Sequence, residues 1–159
     1  MMDNVGTVTL SSGAVLEFDK VLSTRDKVFA AEAHMKQMPQ VEIEPVHYFS
    51  KGVYAREITI PEGTILTGEI HKFTQLNILS KGEISVLTED GIKRVSAPFT
   101  VVSPAGTKRI AYAHTECVWT TVHGTDETDI DTIKSIFIAK DEDEWLEFCG
   151  ANQLKLGFE

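Results

Sequence analysis

Several polar residues near the middle of the chain have side chains that can bind a metal ion, move a proton or hold an anion. Glu69, His71 and Gln75 lie close together, and Arg109 follows the turn-like stretch Pro104-Ala105-Gly106. Carboxylate, imidazole and amide groups can ligate a divalent cation, and a histidine can also act as a general base. A guanidinium group matches the geometry of carboxylates and phosphates. The residue types therefore indicate metal-assisted chemistry, acid–base chemistry at His71 or anion binding at Arg109.

β-strands are the elements that would bring these side chains together. Residues two apart on a strand point to the same face, so the polar residues at 69, 71 and 75 are expected to face one interior. Arg109 would point into the same cavity from a later strand. The surrounding sequence favours this arrangement, because residues 47–123 consist of short alternating or β-branched runs separated by turn signals such as Asp90-Gly91. Many short strands at this spacing predict an antiparallel sandwich or barrel.

Other patterns precede and follow the β-rich region. The N-terminal part predicts a hairpin around Ser11-Ser12-Gly13. A helix follows, which Ser23 or Thr24 can cap and which Pro39 ends. After the strands, residues 128–150 predict helices, with N-terminal signals at Thr128 and at Asp141.

The spacing of the polar residues resembles that of a known superfamily. The first stretch reads Gly63-x5-Glu69-x-His71-x3-Gln75-x6-Gly82, and the second reads Pro104-x-Gly106-x2-Arg109. Both are similar to the two motifs of the RmlC-like cupin superfamily. The resemblance implies a mainly β fold, an antiparallel cupin-type double-stranded β-helix (a jelly-roll barrel) with flanking α-helices.

The resemblance also implies how the chain is organised. A chain of 159 residues fits one domain with a real core. We therefore expect a single cupin domain over residues 1–159, with its β core at about 47–123. The N-terminal hairpin and helix would occupy residues 1–40, and the C-terminal helices residues 128–150.

The motif positions hold metal ligands in much of the superfamily, and this chain departs from most of them. Glu69 stands at the first histidine position, Gln75 at the glutamate and Arg109 at the third histidine, while His71 is retained. Arginine stays protonated in proteins and does not ligate a metal. A divalent metal cofactor remains an open alternative, with Glu69, His71, Gln75 and His123 as its candidate ligands.

The orientation of His123 depends on how its strand pairs. The strand that ends at His123 is expected to pair with the strand that begins near Arg109, through a turn at 114–116. A turn centred on Thr115 would place His123 inside, whereas a turn centred between Thr115 and Glu116 would place it outside. A slip of one residue reverses every side chain, and the sequence leaves both registers open.

Three uses of the interior remain open. A binding protein would hold a small anionic molecule in the barrel pocket through Arg109 and His71, with Asn77 also contacting the ligand. A metal-dependent or epimerase-type enzyme would act on a small sugar-like molecule, with His71 as its catalytic base. A purely structural interior would pair Glu69 with Arg109, and Gln75 and Asn77 would complete a hydrogen-bond network. We favour anion binding and leave enzymatic activity undecided.

Composition excludes several classes of partner. The net charge is −9 and no Lys/Arg cluster occurs, so we expect no nucleic-acid partner. The N-terminus lacks a basic region followed by an apolar one, and no apolar run approaches the ~20 residues of a membrane helix. We therefore expect a cytoplasmic protein with no membrane partner and with Cys117 and Cys149 as free thiols.

Exposed sheet edges favour a homodimer.

A second resemblance concerns the later part of the β region. The stretch SPAGTKRIAYAHTECVWTTVHGTDETD, residues 103–129, is similar to small single-domain cupins of tailed bacteriophages. This resemblance implies a protein that works in the host cytoplasm. It identifies no substrate.

Overall fold

The structure is a computed structural model that describes the backbone of residues 5–9, 15–19 and 23–156 and the side chains of residues 23–152. The chain forms two compact units, Met1–Met38 and Pro39–Glu159. All residues of the candidate site belong to the second unit.

The first unit contains a β-hairpin and a helix, as the sequence predicted. Ser23 caps the helix, because its Oγ accepts a hydrogen bond from the backbone N–H of Asp26 at 3.1 Å and completes a capping box. The helix ends before Pro39, while the predicted turn at 11–13 lies outside the described residues. The elements are β1 (Val5–Thr9), β2 (Val15–Asp19), which pairs antiparallel with β1, and α1 (Thr24–Met35).

The second unit is built mainly from short strands. Its strands are β3 (Val46–Ser50), β4 (Val53–Ile60), β5 (Ile65–Thr67), β6 (Ile70–His71), β7 (Gln75–Lys81), β8 (Glu83–Thr88), β9 (Gly91–Ser96), β10 (Phe99–Ser103), β11 (Ile110–Ala113), β12 (Cys117–His123) and β13 (Ile138–Ala139). Its helices are α2 (Ile130–Phe137) and α3 (Glu142–Leu156). The strand orders are β10-β7-β12-β4-β3 in one sheet, β5-β11-β8-β9 in a second and β13-β6 in a short ribbon.

Strands β4 to β12, apart from the short β6, form one long hairpin that is folded over on itself. β8 pairs with β9 across the Asp90-Gly91 turn, β7 with β10, β5 with β11 and β4 with β12. The partners in each pair therefore lie about equally far from that turn along the chain. Gly91 has a φ of 99°, which glycine adopts without steric cost. The resulting sheet orders are those of a jelly roll, so the predicted mainly β, cupin-type fold is confirmed.

One predicted strand pairing is wrong. β11 pairs with β5 and β8, and β12 pairs with β4 and β7, so these consecutive strands belong to different sheets. The segment that joins them is tied to the start of β8. The N–H groups of His114 and Thr115 both donate to the carbonyl oxygen of Glu83, at 2.9 and 3.5 Å. The segment thus crosses from one sheet to the other instead of forming a hairpin turn.

The closed part of the barrel is filled by apolar side chains. A buried cluster comes from both sheets and consists of Ile60, Leu79, Ile84, Ala113 and Cys117. Burial raises the pKa of the Cys117 thiol, and both cysteines are free, as expected. The core therefore lies between the two sheets, where Ile60 and Ile84 also border the cavity described below.

The C-terminal elements cover the polar end of the barrel. α2 is capped by Asp129, whose carboxylate accepts the N–H of Thr132 at 2.9 Å, one position later than the Thr128 cap that the sequence predicted. α3 has the predicted cap, because Asp141 accepts the N–H of Glu144 at 2.8 Å. Between the helices, β13 pairs with β6 and brings the end of α2 against the barrel. None of the helices in the described part of the chain has the length and apolar character to span a membrane.

Candidate functional site

A cavity of about 330 Å³ opens between the two sheets. Strand alternation decides which side chains reach it. On β7, Gln75 and Asn77 are buried and line the cavity, while Leu76 between them is exposed. The wall is largely aliphatic, and the polar lining residues are Arg56, Thr67, Glu69, His71, Gln75, Asn77, Ser103, Thr107, Arg109 and Thr121.

The structure brings the predicted site residues to one place. Glu69, His71, Gln75, Asn77 and Arg109 all line this cavity. Glu69 is exposed and lies in the link between β5 and β6, so it occupies the open edge. The shared interior that the spacing predicted is therefore present, and the roles of these residues stay predictions.

Two guanidinium groups face the cavity. Arg109 is half-buried and its Nη1 donates a hydrogen bond to Ser103 Oγ at 3.0 Å. Burial lowers the pKa of Arg109. Arg56 lies on β4 opposite Thr121 of β12 and points to the same interior. Among the side chains that the structure describes, neither arginine has a carboxylate within salt-bridge distance. The cavity therefore holds two positive charges that no described side chain neutralises directly.

This geometry lacks the ion pair between Glu69 and Arg109 that the purely structural alternative would have formed. Arg109 is held by Ser103, and Glu69 is displaced to the exposed link at the cavity edge. Arg56 was missed by the sequence reasoning. Its signal was available, because alternation places it on the same face of β4 as Ile58 and Ile60, and an arginine on an otherwise apolar face is unusual.

Asn77 joins the strands around the cavity. Its Oδ1 accepts hydrogen bonds from Thr121 Oγ1 at 2.8 Å and from Trp119 Nε1 at 3.3 Å. Its Nδ2 donates to Ser103 Oγ at 2.9 Å, and Ser103 in turn accepts from Arg109. Three of the four hydrogen-bonding positions of the Asn77 amide are thus occupied within the protein. Asn77 therefore holds Ser103, the hydrogen-bond partner of Arg109, while the predicted contact of Asn77 with a ligand stays a prediction.

Replacing Asn77 by leucine should destabilise the protein by about 3 kcal/mol. Leucine has a similar volume but leaves the buried polar groups of Ser103, Thr121 and Trp119 without this partner. The free energy of unfolding in urea measures the effect. The matched control is Asn152→Leu on α3, which loses the one hydrogen bond described for Asn152, to the Phe148 carbonyl. Equal losses in the two variants would contradict a special role for the Asn77 network.

Gln75 differs from Asn77 in having an unused acceptor. Its side chain is buried, and Oε1 has no hydrogen-bond partner in the described part of the protein. The residue faces Ser103 across the β7–β10 pair. An acceptor that is buried without a partner is costly, so Oε1 is available to a molecule in the cavity.

A pair of histidines lies beside the cavity. His71 Nδ1 and His123 Nε2 are 3.0 Å apart, and the rings stack with centroids 5.0 Å apart. His123 also stacks on Phe137 of α2, at 4.4 Å. Burial, with the charge of Arg56, lowers the pKa of His71 to about 4. Burial, with the neighbouring His71, lowers the pKa of His123 to about 4. Both rings are therefore neutral near pH 7, and one donates its N–H to the other.

The structure decides the orientation of His123, which the sequence left open. His123 is 94% buried and lies on the same face of β12 as Trp119 and Thr121, which line the cavity. It therefore points inward, although the strand pairing on which that alternative depended was wrong. His123 contacts His71 and is not itself part of the cavity lining.

The donor set does not fit a resident divalent metal. Within the described residues, no three side chains among His, Cys, Asp and Glu gather as a metal-binding group. His71 and His123 bond to each other, and Glu69 lies at the exposed edge. Two nearby guanidinium groups would also repel a cation. We assign no metal-dependent step to this site.

No tyrosine provides an acid opposite His71. The Tyr54 hydroxyl is 2.7 Å from His47 Nδ1, so it is already engaged. Tyr48 and Tyr112 are exposed, and none of the three lines the cavity. The acid–base pair that an epimerase needs is therefore not formed by these side chains.

Comparison with known proteins finds solved structures of low similarity and no matching family. No protein-family model matches this chain, and no curated protein matches it. Similar solved structures include ectoine synthase from P. lautus, with 11% identity, a TM-score of 0.49 and coverage of 62% of this chain and 75% of that one. KdgF from Halomonas sp. has 17% identity and a TM-score of 0.46, with coverage of 56% of this chain and 86% of that one. A cupin-2 domain containing protein from Shewanella frigidimarina has 14% identity and a TM-score of 0.44, with coverage of 60% of this chain and 92% of that one.

At these identities the similarity concerns the fold alone. The strand order independently defines the class, a cupin-type jelly roll with a cavity between its two sheets. The arginines, the amides and the histidine pair must therefore be interpreted from their own geometry.

Proposed function

We propose that this protein binds a small anionic molecule in the cavity between its two sheets. The observation that carries the proposal is that Arg56 and Arg109 both line the cavity and neither forms an ion pair with any described carboxylate. A desolvated, unpaired cation is costly. A bound carboxylate or phosphate would offset that cost and would match the guanidinium geometry.

The remaining lining supports an anion over a cation. Glu69 is the one carboxylate among the lining residues, and it lies at the open edge. His71 is neutral near pH 7 because burial lowers its pKa to about 4. The field inside the cavity is therefore set mainly by the two arginines. Aliphatic side chains of both sheets form the rest of the wall, which suits a compact organic acid.

The size of the cavity limits the ligand. A volume of about 330 Å³ is at the lower end of the range for ligand pockets. At ~30 Å³ for each water-sized group, it holds roughly ten non-hydrogen atoms. The ligand is therefore a small acid or a small phosphate ester, and a nucleotide is too large to be enclosed.

Arg109→Gln and Arg56→Gln should each weaken anion binding by about 100-fold, since each removes charge-assisted hydrogen bonds to the ligand. Isothermal titration calorimetry with succinate and with propyl phosphate measures the effect. The matched control is Arg94→Gln, which makes the same chemical change at an arginine that forms an exposed ion pair with Glu83 outside the cavity.

The outcomes of this experiment separate the alternatives. Binding that is lost in both cavity variants and kept in Arg94→Gln supports the proposal. Binding that is equally strong in all three variants would place the anion elsewhere on the protein. An unmodified protein that binds neither acid would contradict the proposal itself.

The enzymatic alternative has one supporting observation. His71 lines the cavity and is hydrogen-bonded to a second neutral imidazole, so a proton could pass from one ring to the other. A pKa of about 4 makes His71 a weak base near pH 7. We therefore rank an epimerase-type activity on a small sugar-like molecule below simple binding.

The finer expectations from the sequence also stay proposals. We propose an RmlC-like cupin of the small type found in tailed bacteriophages, acting as a homodimer in the cytoplasm. The resemblance of residues 103–129 supports the subtype, and the exposed edge strand β3 supports association through sheet edges.

A further inference from the structure

Gln75 adds an unused hydrogen-bond acceptor to the cavity that holds the two arginines. Its side chain is 94% buried, it lines the cavity, and its Oε1 has no hydrogen-bond partner in the described part of the protein. An amide oxygen accepts hydrogen bonds and cannot bind an anion directly. A molecule in the cavity that presents a hydrogen-bond donor here, in addition to the acidic group that the arginines hold, would satisfy this oxygen.

The neighbouring side chains do not supply this donor. Asn77 uses its Nδ2 on Ser103 Oγ, at 2.9 Å. Ser103 Oγ accepts from Asn77 and from Arg109, so both of its acceptor positions are filled. The hydroxyl hydrogen of Ser103 has no acceptor among the described hydrogen bonds, and Ser103 forms no hydrogen bond with Gln75 Oε1. Ser103 is therefore an additional donor for the acidic group of a ligand.

The donor and the acid must be close together in the ligand. Ser103 contacts Arg109 and is also the cross-strand partner of Gln75 in the β7–β10 pair. Side chains of directly opposed residues begin about 5 Å apart. Gln75 and Arg109 are thus both neighbours of Ser103. A ligand that contacts both groups therefore carries its donor near its acid.

Charge identifies the donor as a hydroxyl. An ammonium group would lie near Arg56 and Arg109, and like charges at such distances repel. A hydroxyl is neutral, donates one hydrogen and adds little volume to a ligand of about ten non-hydrogen atoms. We infer that the cavity binds a small hydroxy acid, whose acidic group is held by Arg56 and Arg109 and whose neighbouring hydroxyl donates to Gln75 Oε1. This inference rests on the proposed anion binding.

Three matched pairs of ligands test the inference. Malate and succinate differ by one hydroxyl, as do lactate and propionate. Glycerol 3-phosphate and propyl phosphate differ by two hydroxyls and extend the comparison to a phosphate, so the same titrations show whether the acid is a carboxylate or a phosphate. We expect the hydroxylated member of at least one pair to bind about tenfold more tightly to the unmodified protein in calorimetric titrations.

Gln75→Leu should remove this preference. The variant keeps both arginines, so the affinity for succinate or propyl phosphate should stay within about twofold, whereas the affinity for the hydroxylated partner should fall about tenfold. Gln75→Met serves as a second variant of similar shape if leucine impairs folding, which circular dichroism detects. Gln37→Leu, an exposed site on the other compact unit, is the matched control and should keep the preference.

The outcomes distinguish this inference from the proposed function. Equal binding of both members of every pair, lost in Arg109→Gln, would overturn the hydroxy-acid inference and leave anion binding intact. A preference that persists in Gln75→Leu and in Gln75→Met would show that another group binds the hydroxyl of the ligand. That result would also overturn the hydroxy-acid inference. Binding of none of the six probes would overturn both proposals. A preference lost only in the Gln75 variants supports the inference.

Discussion

Acidification should destabilise this protein between about pH 6.5 and pH 4, because His71 and His123 are buried as neutral rings. The pKa of each falls from the ordinary 6.5 to about 4 in the folded chain. The unfolded chain therefore binds protons more tightly over this interval, and protonation favours unfolding. The stabilisation is present above pH 6.5 and is lost as the pH falls to about 4. Each shift corresponds to roughly 3 kcal/mol as an upper limit.

Urea unfolding at a series of pH values measures this loss. In His71→Gln one titrating group is gone, and the lowering of the His123 pKa by its neighbour is also removed. The fall in unfolding free energy on acidification should then shrink by at least half. The control is His34→Gln at an exposed position of α1, which should behave like the unmodified protein. An unchanged pH dependence in His71→Gln would mean that other groups govern acid stability.

Gly82→Ala should be among the most damaging single substitutions in the barrel, lowering the free energy of unfolding by about 4 kcal/mol. Gly82 joins β7 to β8 with a φ of 91°, where a side chain costs about 1–2 kcal/mol. A Cβ there would also collide with the carbonyl oxygen of Glu116 and lie 2.9 Å from Cys117 Cα. Overpacking against backbone atoms adds about 1–3 kcal/mol, since they cannot move aside.

Two other glycines separate the conformational cost from the collision. Gly52 and Gly91 have φ values of 75° and 99°, and a Cβ added to either meets no atom within 4 Å. Gly52→Ala and Gly91→Ala should therefore cost only about 1–2 kcal/mol in the same urea experiment. If Gly82→Ala costs no more than these controls, the link between β7 and β8 is not packed against the link between β11 and β12 as the structure shows.

Local rules predicted those features in which the deciding atoms are neighbours along the chain. Ser23 and Asp26 form their capping box within one helical turn, and Asp90-Gly91 forms a hairpin turn because glycine tolerates a positive φ. Alternation along β7 placed Gln75 and Asn77 on one face without knowledge of the partner strands.

The same reasoning failed where the outcome depended on distant segments. β11 and β12 were expected to pair because they are consecutive. Instead β11 pairs with β5 and β8, and β12 pairs with β4 and β7, all of which come earlier in the chain. The ion pair between Glu69 and Arg109 that one alternative required is absent from the described side chains, where Arg109 bonds to Ser103. These competitions are settled by packing between the two sheets, which no local pattern records.

The sequence by itself determined which residue types face the interior, since a period of two along a strand is a property of the backbone. The order of short strands and turns also predicted an antiparallel sandwich or barrel, and the resemblance of the two motifs to those of the cupin superfamily implied the jelly-roll class. Only the tertiary structure decided which interior groups satisfy one another: that Arg56 joins Arg109, that His71 bonds to His123 and that Gln75 is left with an unused acceptor. Hydrogen bonds and charges act over a few ångströms, so their partners are fixed only once the doubled hairpin has closed.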